Sequence, residues 1–323
     1  MYFNKTNNFF HGVMFHHFHD EKIHKRSQGS ISRNDLYKLI KFIGRQNILD
    51  ADVFFQKFKT NQLKSNEICL TFDDGIKSQY DVALPVLEDL KIKSFFFVYS
   101  SMFENKPDLL EVFRYFRQNF YENINKFYED FFNTLDENLE TYFKKSKLKI
   151  NSIKTKAPYY SIRDIKFRII RDEYLNKKEY LKLMQKLMNK KRFIPKKYFS
   201  QLFFSKKNLV DLHSKGHLIG LHSHSHPTLI EKLSLKSQLK EYNTCISKLA
   251  NLLKISKKEI KWMSHPCGSY NEDTLKILPK VGIEIGFKQI MKIEKAKGMK
   301  KINNSFLEIA REDHSKIMKR LNG

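Results

Sequence analysis

The chain is short of cysteine, of long apolar runs and of negative charge, and each shortage excludes something. Its three cysteines, Cys69, Cys245 and Cys267, are far apart, odd in number and form no CxxC pair. That argues against a disulfide framework or a thiolate zinc site and fits a reducing compartment. No apolar run reaches the length of about 18 residues that a membrane-spanning helix needs, so no transmembrane segment is expected. The start, MYFNKTNNFFHGVMFHHF, lacks the basic head, apolar stretch and small-residue cleavage site of a secretory leader. A cytoplasmic protein is the expectation. Acidic residues number 35 against 60 lysines and arginines, a formal charge of +25. Such a surface suits an anionic partner. Yet lysine, asparagine, isoleucine and phenylalanine are abundant throughout, as AT-rich coding produces, and no zinc finger, aromatic RNA-binding signature or recognition-helix pattern occurs. Nucleic acid is therefore not an expected partner.

What is present, 323 residues with a hydrophobic share of 41%, suffices for one large α/β domain or two ordinary ones. GVMFHHF (12–18) reads as a strand and SRNDLYKLIKFIGRQ, from Ser32, as an amphipathic helix with a polar cap. The strand 67–72, the helical spacing from Ser78 and the apolar strand from Lys93 make a βαβ unit, hence a parallel sheet. From about 104 to 200 the pattern changes: Phe113, Phe116, Phe120, Ile124, Phe127, Phe131, Leu135 and Leu139 recur at steps of three or four. That is one face of a long helix or of two consecutive helices, and such an aromatic stripe is read as a buried face rather than a sugar platform. Alternation then resumes with LVDLHSKGHLIGLHSHSHP, a long helix from Ser234, and the strands IKWMSHP, IEIGFKQ and LEIARED. The expected fold is one α/β barrel or sheet spanning 1–323, interrupted by a helical insertion at 104–200.

Three stretches carry chemistry. EICLTFDDG (67–75) ends an apolar strand in two adjacent carboxylates, a costly arrangement unless a proton, a cation or a metal shares the site. LHSHSHPT (221–228) spaces His222, His224 and His226 evenly, and His222 and His226 converge whether the segment is extended or a helical turn. Histidine pairs with a carboxylate are common ligand sets for zinc and related divalent ions, so Asp74, His222 and His226 are the candidate ligands, with His224 an ordinary polar residue. An ion there would keep Asp73 ionised and free to act as a general base. WMSHPCGSY (262–270) ends a strand at a Pro–Gly turn that can offer backbone N–H groups to an oxyanion.

In this order the three stretches resemble the polysaccharide deacetylases of the NodB-homology type, carbohydrate esterase family 4. TFDDG resembles the first motif, GHLIGLHSHSHPTL the second through His222, Ser223 and His226, and SHPCGSYN the third. The resemblance covers about residues 10–103 and 201–315. It implies a distorted (β/α) barrel and metal-dependent removal of an acetyl group from an amino sugar. Asp73 would then be the base, and Asp74, His222 and His226 the ligands of zinc, with cobalt or nickel as alternatives. The N–H of Cys267 would stabilise the tetrahedral intermediate. Two departures stand out. The third-motif arginine is Ser264, and Arg311 on the last expected strand is the candidate replacement. The late Leu-x-His motif that provides the general acid is absent, and His17 and His314 are the candidates for it. The expected substrate is an acetylated sugar or glycan precursor, nucleotide- or lipid-linked, in surface-polysaccharide biosynthesis. A non-catalytic glycan- or metal-binding relative, and a hydrolase of another amide or ester, are the rival readings.

Overall fold

The computed structural model describes residues 11–135, 139–156, 160–288 and 306–322. Residues 1–10, on which the expectation of no leader partly rested, and Gln289, the end of one expected strand, lie outside the described residues. Among the described residues seven strands form one parallel sheet: β1 (Gly12–Phe15), β2 (Cys69–Asp73), β3 (Phe95–Val98), β4 (Leu218–Leu221), β5 (Trp262–Ser264), β6 (Ile285–Phe287) and β7 (Arg311–Asp313). Their order in space is β6-β5-β4-β3-β2-β1-β7, so neighbours follow the chain until β7 returns beside β1. The sheet all but closes. Ile309, just before β7, bridges Phe287: its N–H donates to the Gly286 carbonyl at 2.8 Å, and the Lys288 N–H donates to the Ile309 carbonyl at 3.0 Å. The result is a distorted (β/α) barrel with a helical insertion.

In chain order the barrel carries α1 (Arg33–Ile43), α2 (Ala51–Lys59) and α3 (Leu84–Asp89). The insertion holds α4 (Leu109–Asn119), α5 (Ile124–Asn133), α6 (Leu139–Lys145), α7 (Lys147–Lys156), α8 (Ile162–Ile169) and α9 (Lys177–Lys190). The barrel then resumes with α10 (Phe199–Leu202), α11 (Lys206–Ser214), α12 (Leu235–Leu253), α13 (Glu272–Lys280) and α14 (His314–Asn322). Two compact units result, Leu109–Tyr198 and the rest.

Strands covered on both faces read as continuous apolar runs, and β3, FFFV, is buried at every position. Alternate residues still part company. Cys69, Phe95, Phe97, Ile285, Phe287 and Ile309 gather in one cluster with Phe54 and Phe58 of α2, whereas Phe72 and Phe96 stack at 4.7 Å on the other face. Packing on the first face is close enough to require Gly220 on β4. A Cβ there would stand 2.6 Å from ring atoms of both Phe97 and Trp262. Thr71 and Asp73 share the face of Cys69 by the same alternation, which sends the carboxylate into the barrel.

In the helical unit the aromatic part of the stripe, Phe113 to Phe131, is two helices, α4 and α5, and Leu139 opens a third, α6. Asn123 caps α5, its side chain accepting from the N–H groups of Asn125 and Lys126 at 3.0 and 3.2 Å. Phe116, Phe127, Phe131 and Phe167 are buried, with the rings of Phe131 and Phe167 4.8 Å apart, while Ile124 is exposed. The stripe is a packing face.

Candidate active site

Asp73 is the last residue of β2, and the position of Arg311 decides its state. Arg311 pairs in register with Gly12, at the start of β1, and its side chain is fully buried. Gly12 makes room for it, because a Cβ at that position would meet the Arg311 Cγ at 2.9 Å. The guanidinium meets Asp73 through two parallel bonds, Nη1 to Oδ1 at 2.8 Å and Nη2 to Oδ2 at 2.7 Å. It also donates to the Thr71 hydroxyl at 3.0 Å, the Ser264 hydroxyl at 2.8 Å and the Lys288 carbonyl at 3.0 Å. Ser264 donates in turn to Asp73 Oδ2 at 3.1 Å. Burial alone would push the Asp73 carboxyl up; the charge and hydrogen bonds of Arg311 overcome it and hold the pKa below the usual carboxylate value. Asp73 is ionised at neutral pH and fixed in orientation.

Asp74 and Gly75 both take positive φ, +75° and +62°, and so turn the chain sharply out of β2. The Asp74 Oδ1 lies 3.1 Å from His222 Nε2 and 3.3 Å from His226 Nε2. Burial opposes its charge, but His226 and His222 together bring its pKa well below the usual range. The second stretch is neither strand nor helical turn: β4 ends at Leu221, and Ser223 and His226 take φ of +64° and +54°. Non-glycine residues rarely sit there, and Asp74, Ser223, His226 and Cys267 all do. The turn is pinned by the His226 N–H donating to Ser223 Oγ at 3.1 Å.

Each ring is aimed by its outer nitrogen. His222 Nδ1 donates to the Ser264 carbonyl at 2.8 Å, and His226 Nδ1 donates to Asp108 Oδ2 at 2.6 Å. A carbonyl and a carboxylate accept, so each Nδ1 carries a proton and each Nε2 is turned toward Asp74. Burial opposes a charge on His226, but Asp74 and Asp108 raise its pKa well above the usual value, so an ion would take the place of its Nε2 proton. One ligand atom from each of the three residues lies within 4.8 Å of the others. The Asp74 Oδ1 is buried and accepts no hydrogen bond of good geometry among the described residues. A buried carboxylate oxygen facing two imidazole Nε2 atoms is a donor set that fits a divalent ion with open positions, the ion replacing any Nε2 proton.

The other expected residues divide. Cys267, φ +51°, lies in the turn Pro266–Gly268, which is closed by the N–H groups of Gly268 and Ser269 and leaves that of Cys267 unspent among the described residues. Loss of water raises its thiol pKa, opposed by His226 and assisted by Asp74, Asp108 and Asp73, a sign of how near the turn lies to the cluster. His224 turns to Ser100, Nδ1 to Oγ at 2.8 Å, and takes no part. His314 has its nitrogens against the carbonyls of Met14 and Gly29, at 3.2 and 2.8 Å, which leaves neither for the cluster. His17 stacks on His16 with centroids 6.0 Å apart, and it is His16 whose Nε2 lies 3.9 Å from Asp74 Oδ2. Sequence reasoning passed over His16 as an acid, and missed Asp108 and Thr71 altogether. Only Thr71 left a signal, its place one alternation before Asp73.

The family model for polysaccharide deacetylase matches residues 60–160 and 177–286. No curated protein matches the sequence. Among solved structures, the fold is similar to the Streptococcus pyogenes deacetylase PplD in complex with acetate, with a TM-score of 0.55 and 14% identity over 98% of this chain and 99% of that one. IcaB from Ammonifex degensii gives 0.54 and 12%, over 98% and 99%. A de-N-acetylase from Aggregatibacter actinomycetemcomitans gives 0.54 and 11%, over 96% and 98%.

Proposed function

Because the chain belongs to the polysaccharide deacetylase family, we propose that it is a divalent-metal-dependent hydrolase that removes the acetyl group from an N-acetylated sugar. The observation that carries this is a buried, ionised, arginine-clamped Asp73 beside the convergent Asp74, His222 and His226. Those three would hold the ion, zinc first with cobalt or nickel as alternatives, and it would supply Lewis acidity toward water and the acetyl carbonyl. Asp73 takes the proton from the attacking water. Its lowered pKa makes it a weak base, so Arg311 exchanges basicity for a fixed charge and orientation. Arg311 therefore does from the last strand what the third-motif arginine does in the family. The Cys267 N–H donates to the oxyanion as the water oxygen bonds to carbon. His16, whose Nε2 lies 3.9 Å from Asp74 Oδ2, gives a proton to the sugar nitrogen as the carbon–nitrogen bond breaks and acetate leaves.

The whole chain is taken as one catalytic domain with the helical unit inserted in it. The substrate we favour is a cytoplasmic, nucleotide- or lipid-linked glycan precursor of a surface polysaccharide, which the +25 charge suits. No helix among the described residues is long and apolar enough to cross a membrane. Finding the protein outside the cytoplasm of its own cells would remove that substrate from consideration.

The deciding experiment measures bound metal by mass spectrometry and acetate release from N-acetylated oligosaccharides, on wild type and Asp73→Asn. Both proteins should carry near-stoichiometric metal, and the variant should lose about 10²- to 10⁴-fold in rate. In the same assay His16→Gln should fall far below His17→Gln. Wild type that holds no zinc, cobalt or nickel after supplementation sinks the hydrolase reading, and equal rates sink the role of Asp73.

A further inference from the structure

His222 and His226 are held from behind by different means. The partner of His222 is a main-chain carbonyl at the end of β5, whereas the partner of His226 is the side chain of Asp108, 118 residues away in sequence. Asp108 is itself oriented. Its N–H donates to the hydroxyl of Tyr99 at 3.0 Å, and the Tyr99 ring, fully buried just past β3, lies against His226 with centroids 5.3 Å apart. His226 needs this support more than His222 does, because it sits on a turn at positive φ and not at a strand end.

Resting on the reading of Asp74, His222 and His226 as metal ligands, we infer that Asp108 is a positioning residue for the metal site: through His226 it fixes ring orientation and tautomer, strengthens the Nε2 donor and so sets the affinity for the ion. A carboxylate behind a ligating imidazole acts in this way, and removing such a partner typically weakens binding by about 10- to 100-fold. The support runs from the barrel strand β3 through Tyr99 to Asp108 and on to His226, so the ring is placed by the core and not by its own loop.

The test compares wild type, Asp108→Ala and Asp108→Asn by three readouts: Zn²⁺ affinity in competition with a chromophoric chelator, the visible absorption of the Co²⁺-loaded protein, and thermal melting of the metal-free protein. Asp108→Ala should bind Zn²⁺ about 10- to 100-fold more weakly and shift the cobalt bands, with metal-free melting close to wild type. Asp108→Asn, whose amide oxygen still accepts from Nδ1 but carries no charge, should fall between. Tight wild-type binding with unchanged affinity and bands in Asp108→Ala overturns the inference and leaves the ligand set standing. If the alanine variant does not fold, the isosteric asparagine decides: affinity and spectrum equal to wild type overturn the inference. Wild type that takes up neither Zn²⁺ nor Co²⁺ overturns the ligand set itself.

Discussion

Each of the two units sets an arginine against an aromatic ring, and the two arginines are treated in opposite ways. In the barrel, Arg311 spends its donors on Asp73, Thr71, Ser264 and the Lys288 carbonyl, with Phe287 at 5.9 Å. In the helical unit, Arg117 lies over the rings of Phe127 and Phe167, at 5.6 and 4.8 Å, and its Nε has no hydrogen-bond partner among the described residues. Hydrogen bonds fix a planar group in angle as well as distance, whereas a ring face tolerates rotation and sliding. Angular fixing is what a carboxylate base requires. A packed aromatic core asks only that a long side chain cover its rings.

The largest effect should come from breaking the barrel's arrangement. Arg311→Met leaves Asp73 buried without its counter-charge, which costs about 3–5 kcal/mol of stability and favours the protonated acid. Chemical denaturation should show the loss and acetate release should fall with it. Adding Asp73→Asn should return much of the stability and none of the activity, because the orphaned charge has gone. Equal stability of Arg311→Met and wild type would mean that the clamp is ornamental.

The same contrast explains what was readable from the sequence. Helical periodicity exposed the aromatic stripe, although Asn123 breaks it in two and only a cap in place reveals that. TFDDG and LHSHSHPT were legible because chemistry and spacing are both local there. Arg311 was within reach as a charge on an expected apolar strand. His16 and His17 could not be separated, since neighbouring residues point apart and β1 ends at Phe15, before either. Asp108 gave no sign, because nothing local marks a contact spanning 118 residues. The positive φ of Asp74, Ser223 and His226 was equally hidden, as glycine is the only residue that announces it. Among the described residues, closure of the sheet rests on Ile309, a single bridge and not a strand.

A third buried polar group sharpens the comparison, because it is kept neutral. His217 precedes β4, where its Nδ1 accepts the Ser94 N–H at 3.1 Å and its Nε2 has no hydrogen-bond partner among the described residues. Burial, with Lys93 and Lys215 nearby, pulls its pKa down to about 4. The unfolded chain takes up this proton near the ordinary pKa of about 6.5, so between there and about 4 it binds more protons than the native state. Stability contributed by His217 is therefore complete above about pH 6.5 and lost as pH falls toward 4, by about 3 kcal/mol in all. His217→Gln should flatten the fall in denaturation midpoint across that window. An unchanged slope would assign the acid sensitivity to other groups.

The smallest effect is expected at Arg117, and it is the one that separates the two regions most cleanly. Burial draws its pKa below the usual arginine value, with Arg171 acting in the same direction and the phenols of Tyr180 and Tyr128 against it. Arg171 lies over the same Phe167 ring at 5.8 Å and is already paired with Asp172, at 2.6 and 2.7 Å. The charge of Arg117 thus stabilises little, while its stem and planar end cover the rings. Methionine keeps that cover, adds sulfur–aromatic contact and removes a desolvated charge beside a like one. Arg117→Met should leave stability within about 1 kcal/mol of wild type, on the stable side if the desolvation cost outweighs the cation–ring attraction. Zn²⁺ affinity should be unchanged. A loss as large as that of Arg311→Met would show that the helical unit also relies on a specific charge, and the contrast between the two arginines would fall.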